Sequence, residues 1–205
     1  MAGSPHSAGT HLPIGDLKLN FTYPEGELSD YHHELDLSTA VNTVTYKIGD
    51  TEYTRQSIAS NPDDVIAMYI TASRPEAITM ELELNLLRNA EVIASGNQLI
   101  YTGNAEFEKH GRGGVLFEGR IAVEIKGGTI KADGKKLLID KATEVTLLSD
   151  VRTNYKNTTF AGYDYKQKCK ETIEAAAKKS FKTLRNTHVE DYAPLFSRVA
   201  LSFGD

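Results

Sequence analysis

The sequence predicts a mainly β protein, an antiparallel β-sandwich followed by a C-terminal α-helical segment. Apolar and polar residues alternate in 78–86 and largely again in 115–125, which is typical of strands with one face on a core and the other in water. About a dozen short strand-like segments are separated by turn signals, and this spacing favours two packed antiparallel sheets over a parallel α/β sheet. A helical pattern then runs from Asp164 to about His188.

The predicted strands follow one another up to residue 151. The segment 44–48, the pair Gly49-Asp50 and the segment 52–55 predict a hairpin. Residues 65–71 are apolar at both odd and even positions, which predicts a central strand covered on both faces. Gly119 interrupts an alternating segment and predicts a bulge or a close approach. Further strands are predicted at 17–21, 99–102, 137–139 and 145–151, with turns at 95–97, 127–128 and 133–134.

The helical segment has a start signal and one apolar stripe. Asp164 can cap its N-terminus, and Gln167 follows three residues later, as in a capping box. Thr187 and Glu190 leave two options open, the cap of a second short helix or a continuation of the first, and Pro194 is predicted to end either one. The stripe predicts packing on a sheet or another helix, and it consists of Tyr165, Cys169, Ile173, Ala176, Ala177, Ser180, Phe181 and Leu184.

Length, charge and cysteine content limit the possible functions. With 205 residues, the chain can hold one good-sized domain and an appendage. The net charge of −5, without a basic run interleaved with aromatics, argues against nucleic-acid binding, and no apolar run is long enough to span a membrane. The lone Cys169 excludes an internal disulfide, and its place on the apolar stripe predicts a buried, unreactive thiol.

The densest set of potential metal ligands lies in 31–36. In a strand, His32, Glu34 and Asp36 share one face, and such side chains can bind a metal ion. Neighbours on one strand face stand about 6–7 Å apart, however, which is too far to converge on one ion without help. We therefore favour a solvent-facing polar edge and predict neither a metal site nor a cofactor.

The glycine-rich stretch 110–114 carries the candidate site residues His110 and Arg112. It lacks the preceding strand and following helix of a phosphate-binding loop, so a phosphate site has little support. Two interpretations stay open. The loop either reaches a ligand or a neighbouring domain with its His and Arg, or it is a plain surface loop.

No residues stand out as catalytic. No serine lies in a G-x-S-x-G frame, and spacing singles out no pair among the 28 acidic residues for glycoside hydrolysis. Asp63 and Asp64 follow Asn61-Pro62, which predicts an ordinary turn. The chain has no Trp, the residue that often forms the aromatic platforms of free-standing sugar-binding modules, and several of its ten Tyr fall within strand patterns that favour a place in the core.

Several runs of residues resemble successive signatures of one enzyme family. They are Gly9–Leu17, Asp30–Ala40 and Tyr53–Asp63, and the later segments 110–118 and 188–204 are similar to the same pattern. Together they cover nearly the whole chain in order. The chain thus resembles the N-terminal domain of family 95 glycoside hydrolases, the bacterial and plant α-L-fucosidases with some α-L-galactosidases.

The resemblance implies a large antiparallel β-sandwich, a super-sandwich, joined by a helical linker to an (α/α)6 barrel that holds the catalytic residues. It implies that residues 1–162 form the sandwich without its first strands, and that 163–205 form the linker to a barrel absent from this chain. No catalytic residue of the family falls on this sequence. The periplasm or the extracellular space is the implied location.

We therefore expect a non-catalytic portion of a glycosidase that acts on α-L-fucosyl or α-L-galactosyl glycans, inactive by itself. The expected partners are the barrel domain and a fucosylated glycan, with His110 and Arg112 at the rim of the sugar site. A second copy is also expected as a partner, through incomplete burial of the helix stripe and of a sheet edge. Two alternatives stay open, a carbohydrate-binding module that works alone and a structural or adhesive β-domain.

Overall fold

The computed structural model describes residues 13–87, 89–105, 115–155 and 164–200, and shows two antiparallel sheets followed by two helices. The predicted fold class is confirmed. The strands are β1 (Gly15–Thr22), β2 (Leu28–Asp36), β3 (Val41–Ile48), β4 (Thr51–Ser60), β5 (Val65–Ala72), β6 (Ile78–Leu86), β7 (Asn89–Ser95), β8 (Gln98–Asn104), β9 (Leu116–Lys126), β10 (Thr129–Asp133), β11 (Lys136–Ala142) and β12 (Glu144–Thr153), and the helices are α1 (Tyr165–Ala176) and α2 (Phe181–Phe196).

The two sheets differ in size. Over the described ranges, the large sheet has eight strands in the order β2-β3-β4-β5-β12-β9-β8-β7, and the small sheet has four in the order β1-β6-β11-β10. In the β3–β4 hairpin Ile48 pairs with Thr51, so Gly49 and Asp50 form the predicted two-residue turn. Gly49 has a φ of 56°, a left-handed conformation that glycine adopts without strain.

The main core lies between the two sheets. The even-numbered apolar residues of β6 pack into it, as the alternation predicts: Ile78, Met80 and Leu82 are buried, and Leu84 and Leu86 are partly buried. The central strands β5 and β12 are covered on both faces: Ile70 and Val145 join the core between the sheets, whereas Ala67 and Leu148 face the helices. The core between the sheets also contains Leu99, Tyr101, Phe117, Ile121, Val123, Leu137, Ile139 and Leu147.

The helices α1 and α2 pack on the outer face of the large sheet, which gives the molecule three layers. Ile173, Ala176, Phe181 and Leu184 are buried there, so the predicted packing of the helix stripe on a sheet is confirmed. The sheet of the same chain covers most of this stripe, but Tyr165 and Ala177 are half-buried and Ser180 is exposed, so its burial is incomplete at these positions. The sheet residues in this second core are Val41, Ile58, Val65, Ala67, Ala122 and Leu148.

The helical segment is divided in two. Asp164 caps α1 as predicted, because its carboxylate accepts hydrogen bonds from the backbone N–H groups of Lys166 and Gln167. The second helix is capped by Ser180 and not by Thr187, so a continuous helix to His188 is wrong. The prediction that Pro194 ends the helix is also wrong, since α2 extends to Phe196.

Gly119 marks a close approach. The pairing of β9 with β12 continues through Gly119 without a shift, so there is no bulge at this residue. A Cβ atom on Gly119 would overlap the ring of Tyr101, which crosses it from β8.

Neither helix in the described part of the chain is long and apolar enough to cross a bilayer.

Candidate functional site at the junction of sandwich and helices

The predicted site residues His110 and Arg112 lie outside the described residues. The second candidate cluster lies on β2, an exposed edge strand of the large sheet. There the Nε2 atom of His32 is 3.0 Å from Glu34 Oε2. Within the described ranges, no group of three or more His, Cys, Asp or Glu side chains is placed to hold a metal ion.

Asp36, the third member of that cluster, is directed towards the β2–β3 turn. Its carboxylate accepts hydrogen bonds from the hydroxyl groups of Ser38 (2.6 Å) and Thr39 (2.7 Å) and from the backbone N–H of Ser38. These hydrogen bonds lower the pKa of Asp36 to about 2. Asp36 therefore stabilises the turn as a carboxylate.

The turn between β4 and β5, residues 61–64, connects the sandwich to α2. The Asp63 side chain is only 2% exposed, and it accepts hydrogen bonds from Lys179 Nζ (2.5 Å), Ser60 Oγ (2.8 Å) and Thr187 Oγ1 of α2 (2.9 Å). Burial by itself raises the pKa of Asp63, but these hydrogen bonds outweigh it and hold the pKa below its ordinary value. Asp63 thus acts as a buried anion that fixes the second helix.

The neighbouring Asp64 connects the same turn to the region under α1. Its Oδ2 atom is 2.5 Å from Arg152 Nη2, and Arg152 Nε is 2.7 Å from Asp150 Oδ2. The guanidinium also lies 3.5 Å from the Thr172 hydroxyl of α1. Burial raises the pKa of Asp150 although Arg152 opposes this change.

A second set of contacts joins α2 to the β2–β3 turn. His188 is 4% exposed, and its Nε2 lies 3.0 Å from the carbonyl oxygen of Thr39, which requires the proton on Nε2. One turn further on, the Tyr192 hydroxyl donates to the carbonyl oxygen of Leu37 at 3.0 Å. The rings of His188, Tyr192 and Phe196 stack along α2 with centroids 6.0 and 5.9 Å apart. These contacts hold α2 to the sandwich through its middle and its C-terminal half.

A cleft of about 750 Å³ opens between the outer face of the large sheet and the start of α2. Gln56, Glu124 and Thr146 line it from three strands. The rings of Tyr69 and Phe181, also in its lining, are stacked with centroids 5.0 Å apart. This volume lies within the roughly 300–1,000 Å³ typical of ligand pockets.

The carboxylate of Glu144 in this cleft is held in its ionised form. Lys126 Nζ is 2.7 Å from Glu144 Oε1, and the Tyr69 hydroxyl donates to Oε2 at 2.5 Å. Both interactions lower the pKa of Glu144. Burial and the hydrogen bond to Glu144 raise the pKa of Tyr69 to about 12. A general acid needs a raised pKa, so Glu144 is unsuited to that role.

The sequence does not identify the junction residues as functional. It predicts only a turn at Asp63 and Asp64 and does not mark Lys179 and Thr187 as their partners. Asp63 is separated from Lys179 by 116 positions and from Thr187 by 124. The available signal was the pair of acidic residues in a tight turn, which does not identify distant cations.

The comparisons with known proteins place this fold among the N-terminal domains of glycoside hydrolases. A model of the family described as "Glycosyl hydrolase family 65, N-terminal domain" matches residues 1–158, and the chain belongs to this family. The chain is 30% identical to "Alpha-L-fucosidase 2" of Arabidopsis thaliana over 98% of its own length and 27% of that relative. It is 30% identical to "Probable alpha-fucosidase A" of Aspergillus niger over 91% of its length and 25% of that relative.

A solved structure shows the same fold. The chain is similar to "Putative kojibiose phosphorylase from human microbiome" with a TM-score of 0.58 and 13% identity, over 87% of this chain and 28% of that one. The predicted resemblance to the N-terminal domain of α-L-fucosidases is confirmed by the family match and the relatives. The chain spans about a quarter of the length of the curated relatives it matches.

Proposed function

We propose that this chain is the non-catalytic N-terminal β-sandwich portion of a family 95 type glycoside hydrolase that acts on α-L-fucosyl or α-L-galactosyl glycans. The main support is the alignment of α-fucosidases over 98% and 91% of the chain, which corresponds to only 27% and 25% of their lengths. The remaining length of such an enzyme has room for an (α/α)6 barrel. We propose this barrel as the partner that carries the catalytic groups.

The carboxyl groups of the junction support a non-catalytic role. Glycoside hydrolysis needs a carboxylic acid of raised pKa that faces a second carboxylate across an open sugar site. In the described residues, Glu144 lies in a cleft but has a lowered pKa. Asp150 has a raised pKa, but its side chain is 7% exposed and paired with Arg152. Neither combines the access and the proton affinity that the reaction requires.

The position of α2 supports a role in carrying a further domain. Residues 163–205 are proposed as a linker, and the described end of this segment exposes apolar side chains. Leu195, Phe196 and Val199 are 52, 45 and 82% exposed, respectively, and α2 is held to the β2–β3 turn, where Leu37 is 60% exposed. An apolar surface at the end of a firmly attached helix is suited to pack against the proposed barrel.

The unequal sheets support the proposal that residues 1–162 form a sandwich without its first strands. β1 is one of the two edge strands of the small sheet, and the inner-face residues Leu28 and Leu35 of β2 are 62 and 56% exposed. Arg55, nearby, has its guanidinium carbon 5.6 Å from the Phe21 ring and 5.3 Å from the Tyr46 ring, and its buried Nε has no hydrogen-bond partner among the described residues. Further strands beside β1 would cover this face.

The exposure of the inner face of β2, with Leu28 and Leu35, is tested with a dye that binds exposed apolar surface. We expect the native chain to enhance the fluorescence of anilinonaphthalene sulfonate, and Leu28→Ser with Leu35→Ser to reduce the enhancement. Ile93→Ser is the matched control, because Ile93 is 59% exposed on the opposite edge strand. An equal reduction in the control would contradict the assignment of the uncovered face.

The non-catalytic role is tested by incubation of the purified chain with 2′-fucosyllactose. We expect no fucose above a buffer blank after prolonged incubation at high protein concentration, with an active α-L-fucosidase as the positive control. Release of fucose that scales with the concentration of this chain would overturn the proposal.

A further inference from the structure

We propose that the cleft between the large sheet and the start of α2 binds a short neutral oligosaccharide. The lining of this cleft contains a buried hydrogen-bond donor that no described residue satisfies. Arg185 lines it from α2, its Nε is buried without a hydrogen-bond partner, and its guanidinium forms no ion pair within the described residues. A buried donor without a partner is costly, and a ligand that accepts its hydrogen removes the cost.

Acceptors that are available to a ligand lie on the sheet side of the same cleft. Glu124 Oε1 accepts a hydrogen bond from Asn97 Nδ2 at 3.1 Å, which leaves the second carboxylate oxygen available. Among the described residues, Gln56 donates one long hydrogen bond of 3.5 Å to Thr43 through its Nε2, which leaves its carbonyl oxygen available. The cleft therefore offers both donors and acceptors.

This mixture favours a neutral ligand rich in hydroxyl groups. Two of the four cations in the lining are already paired, Lys126 with Glu144 and Lys179 with Asp63. An anion would pair with Arg185 but would also meet the carboxylate of Glu124, whereas a cation would meet Arg185 and Lys182. A hydroxyl group donates and accepts at the same time, so vicinal hydroxyls can satisfy both kinds of group. Sugars carry such hydroxyls in fixed positions around a ring.

The stacked pair of Tyr69 and Phe181 provides the apolar part of the site. Phe181 is 6% exposed and Tyr69 is partly buried, and the hydroxyl of Tyr69 is fixed by its hydrogen bond to Glu144. A ring that is already fixed loses little conformational entropy when a ligand contacts it. The C–H groups of a sugar can pack against the accessible part of this aromatic pair.

The inference rests on the proposed function for one point, the choice of a fucosylated glycan as probe. Binding is measured without hydrolysis, so the two proposals fail separately. An empty cleft would leave the supporting role of the chain unchanged. Release of fucose would overturn the supporting role without any bearing on binding in the cleft.

The test is a titration of the ¹⁵N-labelled chain with 2′-fucosyllactose, followed by amide chemical shifts. We expect saturable shifts at millimolar concentration that centre on Gln56, Thr146 and Arg185. Arg185→Ala should weaken binding about tenfold, because a hydrogen bond from a charged group is lost. Thr146→Val should weaken it about threefold, because the hydroxyl that lines the cleft is replaced by a methyl group of similar size.

The matched control is Arg74→Ala, which removes an arginine that is 60% exposed and pairs with Asp50 at 3.5 Å. This control should leave binding unchanged. For each variant, a spectrum without ligand that matches the native spectrum away from the substituted position verifies that the variant is folded. Absence of shifts, shifts centred elsewhere, or equal weakening in the control would overturn the inference. The inference would also be overturned if glucuronate or glucosamine bound in the cleft and 2′-fucosyllactose did not, because the ligand would then belong to a charged class.

Discussion

Replacement of Asp63 by Asn is expected to weaken the attachment of the helices to the sandwich. The amide keeps one carbonyl acceptor for the hydroxyls of Ser60 and Thr187, but it places an NH₂ group against Lys179 Nζ. A hydrogen bond to a charged group contributes about 1.5–3 kcal/mol. Because the Lys179 side chain is 42% exposed and can turn towards water, we expect a loss of about 2 kcal/mol in the free energy of unfolding.

The assay is equilibrium unfolding in urea, followed by far-ultraviolet circular dichroism. With a slope of about 2 kcal/mol per molar urea, the loss lowers the midpoint by about 1 M. The matched control is Asp50→Asn, since the Asp50 side chain is 92% exposed and its ion pair with Arg74 is on the surface. The control should move the midpoint by less than about 0.25 M. Equal shifts for both variants would refute the role assigned to Asp63.

Three other properties follow from the same structure. The pKa of Asp63 is lowered in the folded chain, so its contribution to stability is present above about pH 4 and is lost as the pH falls through the folded pKa. The difference in urea midpoint between the native chain and Asp63→Asn should therefore shrink below about pH 4. A constant difference would contradict this. Burial raises the pKa of Cys169 to about 12, so iodoacetamide at pH 8 should modify the thiol only after unfolding, and rapid labelling of the native chain would be inconsistent with its burial. Gly119→Ala should lower the free energy of unfolding by about 3 kcal/mol, because the new Cβ atom overlaps the Tyr101 ring. The control Gly96→Ala should lower it by about 1 kcal/mol, because Gly96 has a positive φ but no close neighbour. Equal losses in thermal unfolding would contradict the close approach.

The features that could be predicted from the sequence are those with local causes. The alternation in β6 requires only the period of two that any half-buried strand has, and the structure places Ile78, Met80 and Leu82 in the core. The turn at Gly49 depends on one residue that tolerates positive φ. The cap at Asp164 depends on neighbours two and three residues away. In each case the partners lie within a few positions of one another.

The junction could not be predicted, because its partners meet only after the sheets have formed. Asp63 belongs to a turn of the sandwich, and Lys179 and Thr187 belong to the helical segment more than a hundred positions away. The break between α1 and α2 has a local part, the cap that Ser180 forms with the backbone N–H of Thr183, and a part that depends on distant partners. A continuous helix satisfies the local pattern, but the divided one lets Phe181 stack on Tyr69 while Lys179 reaches Asp63. Tertiary contacts here override the local preference.

Amide hydrogen exchange of α2 relative to β12 tests the central claim most directly, namely that the helices belong to one cooperative unit with the sandwich. The account predicts that the amides of Leu184 in α2 and Leu148 in β12, which lie in the same buried cluster, open with free energies within about 1 kcal/mol of each other. Rapid exchange throughout α1 and α2 while β12 remains protected would contradict the account, because the helices would then separate from the sandwich on their own.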